Sequence, residues 1–244
     1  MARGDRLIGP AYQERDWHGR LRLYDQASFR PQHRLRAAAP EVRRRHWWAP
    51  PSSDQGPTSH CVAHGFHGFI RSGPVTNRPI DTQPQFYARA QAEDEWPGAE
   101  PTYYGTSVNA GFRVARAQGF ISSWGWADEA VMAARHILTV SPIVIGVDWS
   151  DGMDDTDPDG YIHPTGTVRG GHCVYVPGAD LDRVNPDETK GTVWGVQSWG
   201  VWGYKGKGRF KLTMDDFQKL LDGLESPQWR GEAGAPQEIK RVVS

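Results

Sequence analysis

The chain has 244 residues, enough for one large domain or two small lobes around a sizeable core. A net charge of −1 gives no global case for a nucleic-acid partner, and no apolar run approaches the length of a membrane span. Two cysteines cannot build a disulfide framework and the Arg-rich start lacks the apolar stretch of a secretory signal, so a soluble chain in a reducing cytoplasm is expected.

Residues 1–50 hold eleven Arg against five acids, a balance of +6, while the remainder carries seventeen basic and twenty-four acidic residues, or −7. Arg30, Arg34, Arg36 and Arg43-Arg44-Arg45 could meet an acidic partner; the reading preferred here is an extension that docks on the acidic remainder of its own chain. Within it, 20–24 can form a short strand, and Trp47-Trp48-Ala49-Pro50-Pro51 opens the compact part. A loop with Gly56 and Pro57 then gives way to Val62, Phe66, Phe69 and Ile70, whose spacing predicts a helix over 61–71 stopped by Ser72-Gly73-Pro74. Pro84 opens a second helix over 85–95. Thr106 can cap a third, closed by Gly119, and Asp128 a fourth that runs to about 138.

The second half changes character. Residues 142–149 form a near-continuous apolar run, predicted as a strand buried on both faces. Further strands are predicted at 172–176, 192–197 and 207–212, after which Thr213 caps a short helix. A polar tail is expected over 226–244. Helices followed by strands imply an α+β chain of two lobes, about 51–140 and 141–225, behind the extension 1–50.

Chemistry concentrates in three places. Cys61 stands at the start of the first helix, where unpaired N–H groups and the helix dipole stabilise a thiolate. Gly65 and Gly68 share its helical face and leave room for a close neighbour. A cysteine beside an apolar run is, taken alone, more often an inert core residue. His172 begins a predicted strand in Gly170-Gly171-His172-Cys173, and alternation turns it to one face and Cys173 to the other. Gln197-Ser198-Trp199-Gly200, with Trp202-Gly203 behind, follows another strand, and Gln55 offers an amide donor upstream of Cys61.

Taken in order, Gln55, Cys61, His172 and Ser198-Trp199-Gly200 resemble the papain-like cysteine peptidases, in which a Gln lies six residues ahead of the nucleophile and an Asn-Ser-Trp-Gly element follows the histidine. The resemblance covers roughly residues 50–222, and Gly-Gly-His together with Gly105-Thr106-Ser107 is similar to short bacterial and phage members. It implies a two-lobe fold, a helical first lobe and an antiparallel β-rich second lobe with the cleft between. It also implies roles: Cys61 as nucleophile, His172 as imidazolium partner and then acid, Gln197 in place of the orienting Asn, and Gln55 with the Cys61 N–H as oxyanion donors. Trp199 would shield the histidine's bond, with Ser198 and Gly171 in support. The partner implied is a peptide or protein substrate, with neither nucleic acid nor membrane, and no cofactor.

The chain departs from the family pattern at Gln197, at Ser59-His60, which stand for Gly-Ser, and at Val62, which stands for Trp. Two alternatives therefore stay open: a catalytically inactive binding or structural protein on this fold, and a thiol amidase or transpeptidase acting on cell-wall or isopeptide bonds. Two metal readings are set aside. His60, Cys61, His64 and His67 do not share one helical face, and the Asp155-Thr156-Asp157-Pro158-Asp159-Gly160 turn has Gly166 where a calcium loop needs a bidentate Glu. No metal is expected, and His18, His33, His46, His136 and His163 have no assigned role.

Overall fold

Eight consecutive buried residues, Ile143–Ser150, form β3, and its apolar run places it inside a sheet with a layer on either face. The computed structural model describes residue 35 and residues 39–74, 80–94, 104–225 and 230–239. Beside β3 lies β4, Val168–Val184, antiparallel and in a register that sets Val147 opposite His172 and Gly146 opposite Cys173. With 17 residues β4 outruns β3. Its far half is flanked by β1, Arg44–His46, on one side and β5, Lys190–Val196, on the other. β6, Arg209–Thr213, pairs with β5. On the other side of β3 come β7, Glu232–Ile239, and β2, Ile121–Ala127. All of these pairings are antiparallel, in the order β2-β7-β3-β4-β5-β6.

Alternation along the strands sends side chains into two separate cores. Val144, Cys173, Tyr175 and Val196 pack under α1 (Cys61–Arg71), α2 (Gln83–Glu93) and α3 (Val108–Ala117). Ile145, Val147, Trp149, Val174 and Phe210 pack under α4 (Ala130–Thr139) and α5 (Met214–Asp222). The result is the α+β class that the sequence predicts.

The helices follow local chemistry. In α2, Pro84 stands in the first turn, where no N–H is missed, and the Gln85 side chain accepts from the Thr82 N–H. Thr213 caps α5 as expected, its hydroxyl accepting from the Asp216 N–H at 3.0 Å. α3 is capped by Ser107, which accepts from Ala110, and not by Thr106, whose hydroxyl instead donates to Asp94. α4 begins after Glu129 and not Asp128.

Two strands contradict the sequence reading. Residues 121–127 form β2 within the stretch assigned to helices, and the expected polar tail over 226–244 contains β7, inserted between β2 and β3. A Cβ on Gly234 would lie 2.2 Å from the Phe112 ring, so β7 is built from small residues because Phe112 and Trp126 cover it. Pairing with β3 ends at Gly234, before Pro236, so the proline sits on the part of the strand that has one neighbour.

The described end of the Arg-rich extension docks on its own chain. β1 pairs with β4, Arg43 meets Asp182 at 2.9 Å and Arg44 meets Asp180 at 3.6 Å. The short strand expected at 20–24, together with His18, His33, Arg30, Arg34 and Arg36, lies outside the described residues.

Candidate active site

Cys61 is the first residue of α1, which begins with neither an acidic residue in its first turn nor a side-chain cap at His60. The His60 ring lies instead 4.1 Å from that of Tyr87. The first N–H groups of α1 therefore remain the local source of positive potential at the sulfur.

The two glycines expected to allow close approach do so. A Cβ on Gly68 would stand 2.1 Å from Tyr175 Cε1, and one on Gly65 would stand 3.0 Å from Cys173 Sγ. Because Gly65 faces Cys173 and Gly68 faces Tyr175, α1 and β4 run in the same direction. One turn back from Gly65 and two residues back from Cys173 lie Cys61 and Gly171, at one end of the contact. Gly171 adds no side chain there. His172 turns to the opposite face from Cys173, as alternation predicts, and its ring lies 5.1 Å from that of Trp149 and 5.3 Å from that of Trp199.

The orienting bond is present despite the longer side chain. His172 Nε2 lies 2.5 Å from Gln197 Oε1, and the Ser198 backbone N–H also donates to that oxygen at 2.7 Å. A backbone N–H can only donate, so the amide is fixed with its oxygen toward the ring, and Nε2 must carry the proton. The basic nitrogen of a neutral His172 is then Nδ1.

Segment 52–55 is stitched to 197–200. Gln55 N–H donates to Ser198 O at 2.8 Å, and Gly200 N–H to Ser53 O at 3.1 Å. Ser52 Oγ donates to Gln197 O at 2.5 Å, and Ser198 Oγ to Gln55 Oε1 at 2.5 Å. Gln55 Nε2 donates to Thr58 O at 2.7 Å, which uses one of its two hydrogens and holds the amide in place. The residue assigned to the oxyanion and the residue that orients the histidine are thus parts of one hydrogen-bonded unit.

Electrostatics differ from the expected ion pair. Neither Cys61 nor His172 has exposed surface, and burial pushes the His172 pKa down to about 4, against the Gln197 bond that raises it. His64 lowers it further. At neutral pH the enclosed His172 is uncharged, because desolvation outweighs the hydrogen bond that favours the cation. A cavity of about 50 Å³ opens nearby, lined by Ser53, His64, His67, Arg71, Tyr175 and Ser198 among others, but Cys61 and His172 do not line it.

Sequence reasoning missed the support around this group. Trp149 is wholly buried, packs edge-on against His172, Trp199 and Trp202, and its Nε1–H donates to Asp154. Asp154 also holds Arg169, and its carbonyl accepts from Trp202 Nε1. Alternation from Ile143 places Trp149 on the face of Val147, so the signal was there once β3 was paired with the histidine strand. His64, whose Nδ1 shares a 2.7 Å hydrogen bond with Ser53, was also missed.

Neither Cys61 nor Cys173 is in a disulfide. Among the described residues no three His, Cys, Asp or Glu side chains converge to hold a metal. In the acidic turn, Asp157 accepts from the Tyr161 N–H and meets His163, while Asp154 serves Trp149 and Arg169. No described helix is long and apolar enough to cross a membrane.

No protein-family model and no curated protein matches the chain. Solved structures do. Xylellain, a cysteine protease from Xylella fastidiosa, superposes with a TM-score of 0.64 at 12% identity, over 93% of this chain and 98% of that one. The bromelain protease of Ananas comosus gives 0.57 at 13% identity, over 81% and 99%. Procathepsin L2 from the larval midgut of Tenebrio molitor gives 0.56 at 18% identity, over 83% and 70%. The architecture that holds Cys61, His172 and Gln197 is accordingly the papain-like cysteine-protease fold.

Proposed function

We propose that the chain is a thiol-dependent peptidase in which Cys61 and His172 are the reacting pair. The observation that carries this reading is the Gln197 bond, which fixes the His172 tautomer and leaves Nδ1 as the base. Nδ1 takes the Cys61 thiol proton as the sulfur attacks the substrate carbonyl carbon, and the carbonyl oxygen becomes the oxyanion. The Cys61 N–H and the Gln55 amide donate to that oxygen, each contribution being worth about 3 kcal/mol in comparable sites. The imidazolium returns its proton to the leaving amine as the C–N bond breaks, giving a thioester. Water then adds to the thioester with His172 again as base, and the acid product leaves with the thiol restored. The substrate is a peptide or protein and no cofactor enters any step.

Starting from a neutral thiol and imidazole suits a closed site. The ion pair then forms only as substrate and water enter the site, which relieves the desolvation that holds His172 neutral. The same enclosure also favours a second reading, a catalytically silent homologue whose cysteine is a core residue.

A thiol-directed epoxide or vinyl sulfone probe separates the two readings. The expected result is one label per chain, mapped to Cys61, formed between pH 5 and 8 and abolished by Cys61→Ala. A folded protein that stays unlabelled across that range is the silent homologue. Digestion of a peptide library beside purified peptidoglycan fragments then tells a peptidase from a thiol amidase by which of the two is cut.

A further inference from the structure

α1 carries the sulfur, whereas Gln55, Gln197 and Trp199 belong to the hydrogen-bonded pair of segments 52–55 and 197–200. The reacting atoms keep their separation only if these two bodies keep theirs. Apolar packing between helix and sheet is non-directional, so a polar tie is what would fix the sliding position of α1. His64 supplies one. It stands one turn beyond Cys61, is 8% exposed, and its Nδ1 shares a 2.7 Å hydrogen bond with Ser53 Oγ. Ser53 in turn accepts the Gly200 N–H through its backbone oxygen, beside Trp199. The bridge therefore runs from the helix of Cys61 through His64 and Ser53 to the loop that covers His172.

We propose that His64 is a positioning residue, which holds Cys61 in reacting register with His172 through its bond to Ser53. This rests on the reading of Cys61 as a nucleophile. The assignment gives His64, whose buried neighbours along α1 are apolar or small, a reason to be there, since a Phe at this position would pack with no buried nitrogen to satisfy. Burial holds the His64 pKa at about 4, so the tie does not change its charge across the range in which a peptidase works.

The test measures the second-order rate of Cys61 alkylation by a neutral reagent, iodoacetamide, in the full-length chain, with the labelled peptide identified by mass and the melting temperature recorded alongside. His64→Phe and Ser53→Ala should each slow alkylation by about five- to a hundredfold, the range in which misplacement by a distant residue acts. Because both remove one interaction, the double variant should be no slower than either alone. His64→Asn keeps an amide group near the Nδ1 position and should return the rate to within about twofold of the starting protein. If His64→Phe does not fold, Ser53→Ala and His64→Asn still decide the matter. Unchanged alkylation in Ser53→Ala, or effects that multiply in the double variant, overturns the inference. A starting protein whose Cys61 does not react at all fails the peptidase reading instead, so the two failures are distinct.

Discussion

Gln197 stands where the peptidase pattern that the sequence resembles has an Asn, one methylene shorter. The longer side chain reaches His172 because Ser198 N–H and the ring both bond its oxygen, so two donors converge on one acceptor. An Asn here would end about 1.5 Å short, roughly one C–C bond, and the buried Nε2–H would lose its partner. Gln197→Asn is therefore expected to behave like Gln197→Ala and not as a restoration of the family residue. Each should slow Cys61 labelling by about ten- to a hundredfold, in line with a buried donor left unpaired at about 1–3 kcal/mol. Imidazole nitrogen-15 shifts should show mixed tautomers in both variants and the Nε2–H form in the starting protein. Wild-type labelling in Gln197→Asn would mean that the orienting bond is dispensable. The proposed residues Cys61, His172, Gln197 and Gln55 could be named from the sequence because their order resembles that of the papain-like peptidases. The sequence hid Trp149 and His64, because nothing in a single strand or helix says which neighbour it will meet.

At the scale of elements, legibility tracks how much of an element's reason for existing is local. α1 could be placed to the residue because its apolar spacing and its Ser-Gly-Pro stop are both written within it. β3 could be placed because burial on both faces makes it apolar throughout. β2 and β7 could not, since β7 is an alanine- and glycine-bearing strand whose composition answers to Phe112 and Trp126 above it. The α1–β4 contact is of the same kind, and its two glycines differ in a testable way. Gly68→Ala would drive a methyl group to 2.1 Å from the body of the buried Tyr175 ring, whereas Gly65→Ala meets Cys173 Sγ at 3.0 Å. The helix propensity of Ala returns up to about 1 kcal/mol at either site, against overpacking of about 1–3 kcal/mol. Gly68→Ala should lower stability by about 2 kcal/mol and Gly65→Ala by clearly less, measured by urea unfolding with unchanged m-values. The reverse ranking would mean that Tyr175 can move aside and that α1 does not seat as closely as described.

At the scale of the whole molecule, three neutral histidines among the described residues are buried in different places: His64 on α1, His172 on β4 and His136 on α4. Burial is the first cause of lowering for each, and each falls from an ordinary value of 6.5 to about 4. Between these two values the unfolded chain binds protons that the folded chain refuses, so stability rises with pH across the window. Each histidine contributes its full share above about pH 6.5, and that share is lost as the pH falls toward 4. The slope can reach about 1.4 kcal/mol per pH unit for each histidine, and three together approach about 4. A domain of this size commonly has about 5–15 kcal/mol in hand, so the chain should unfold on acidification before its carboxylates are mostly protonated. The melting temperature is expected to be nearly flat from pH 8 to 7 and to fall steeply between pH 6 and 4.5. His136→Leu removes one of the three without touching the proposed reacting group, since the His136 ring lies on α4 and shares a 3.3 Å hydrogen bond with Ser141 in the turn behind it. That variant should lose about a third of the slope while keeping the rate of Cys61 labelling. A melting temperature that does not respond to pH between 6 and 4.5 would show that these rings take up protons in the folded chain as readily as in the unfolded one, and that burial does not hold His172 neutral in that range.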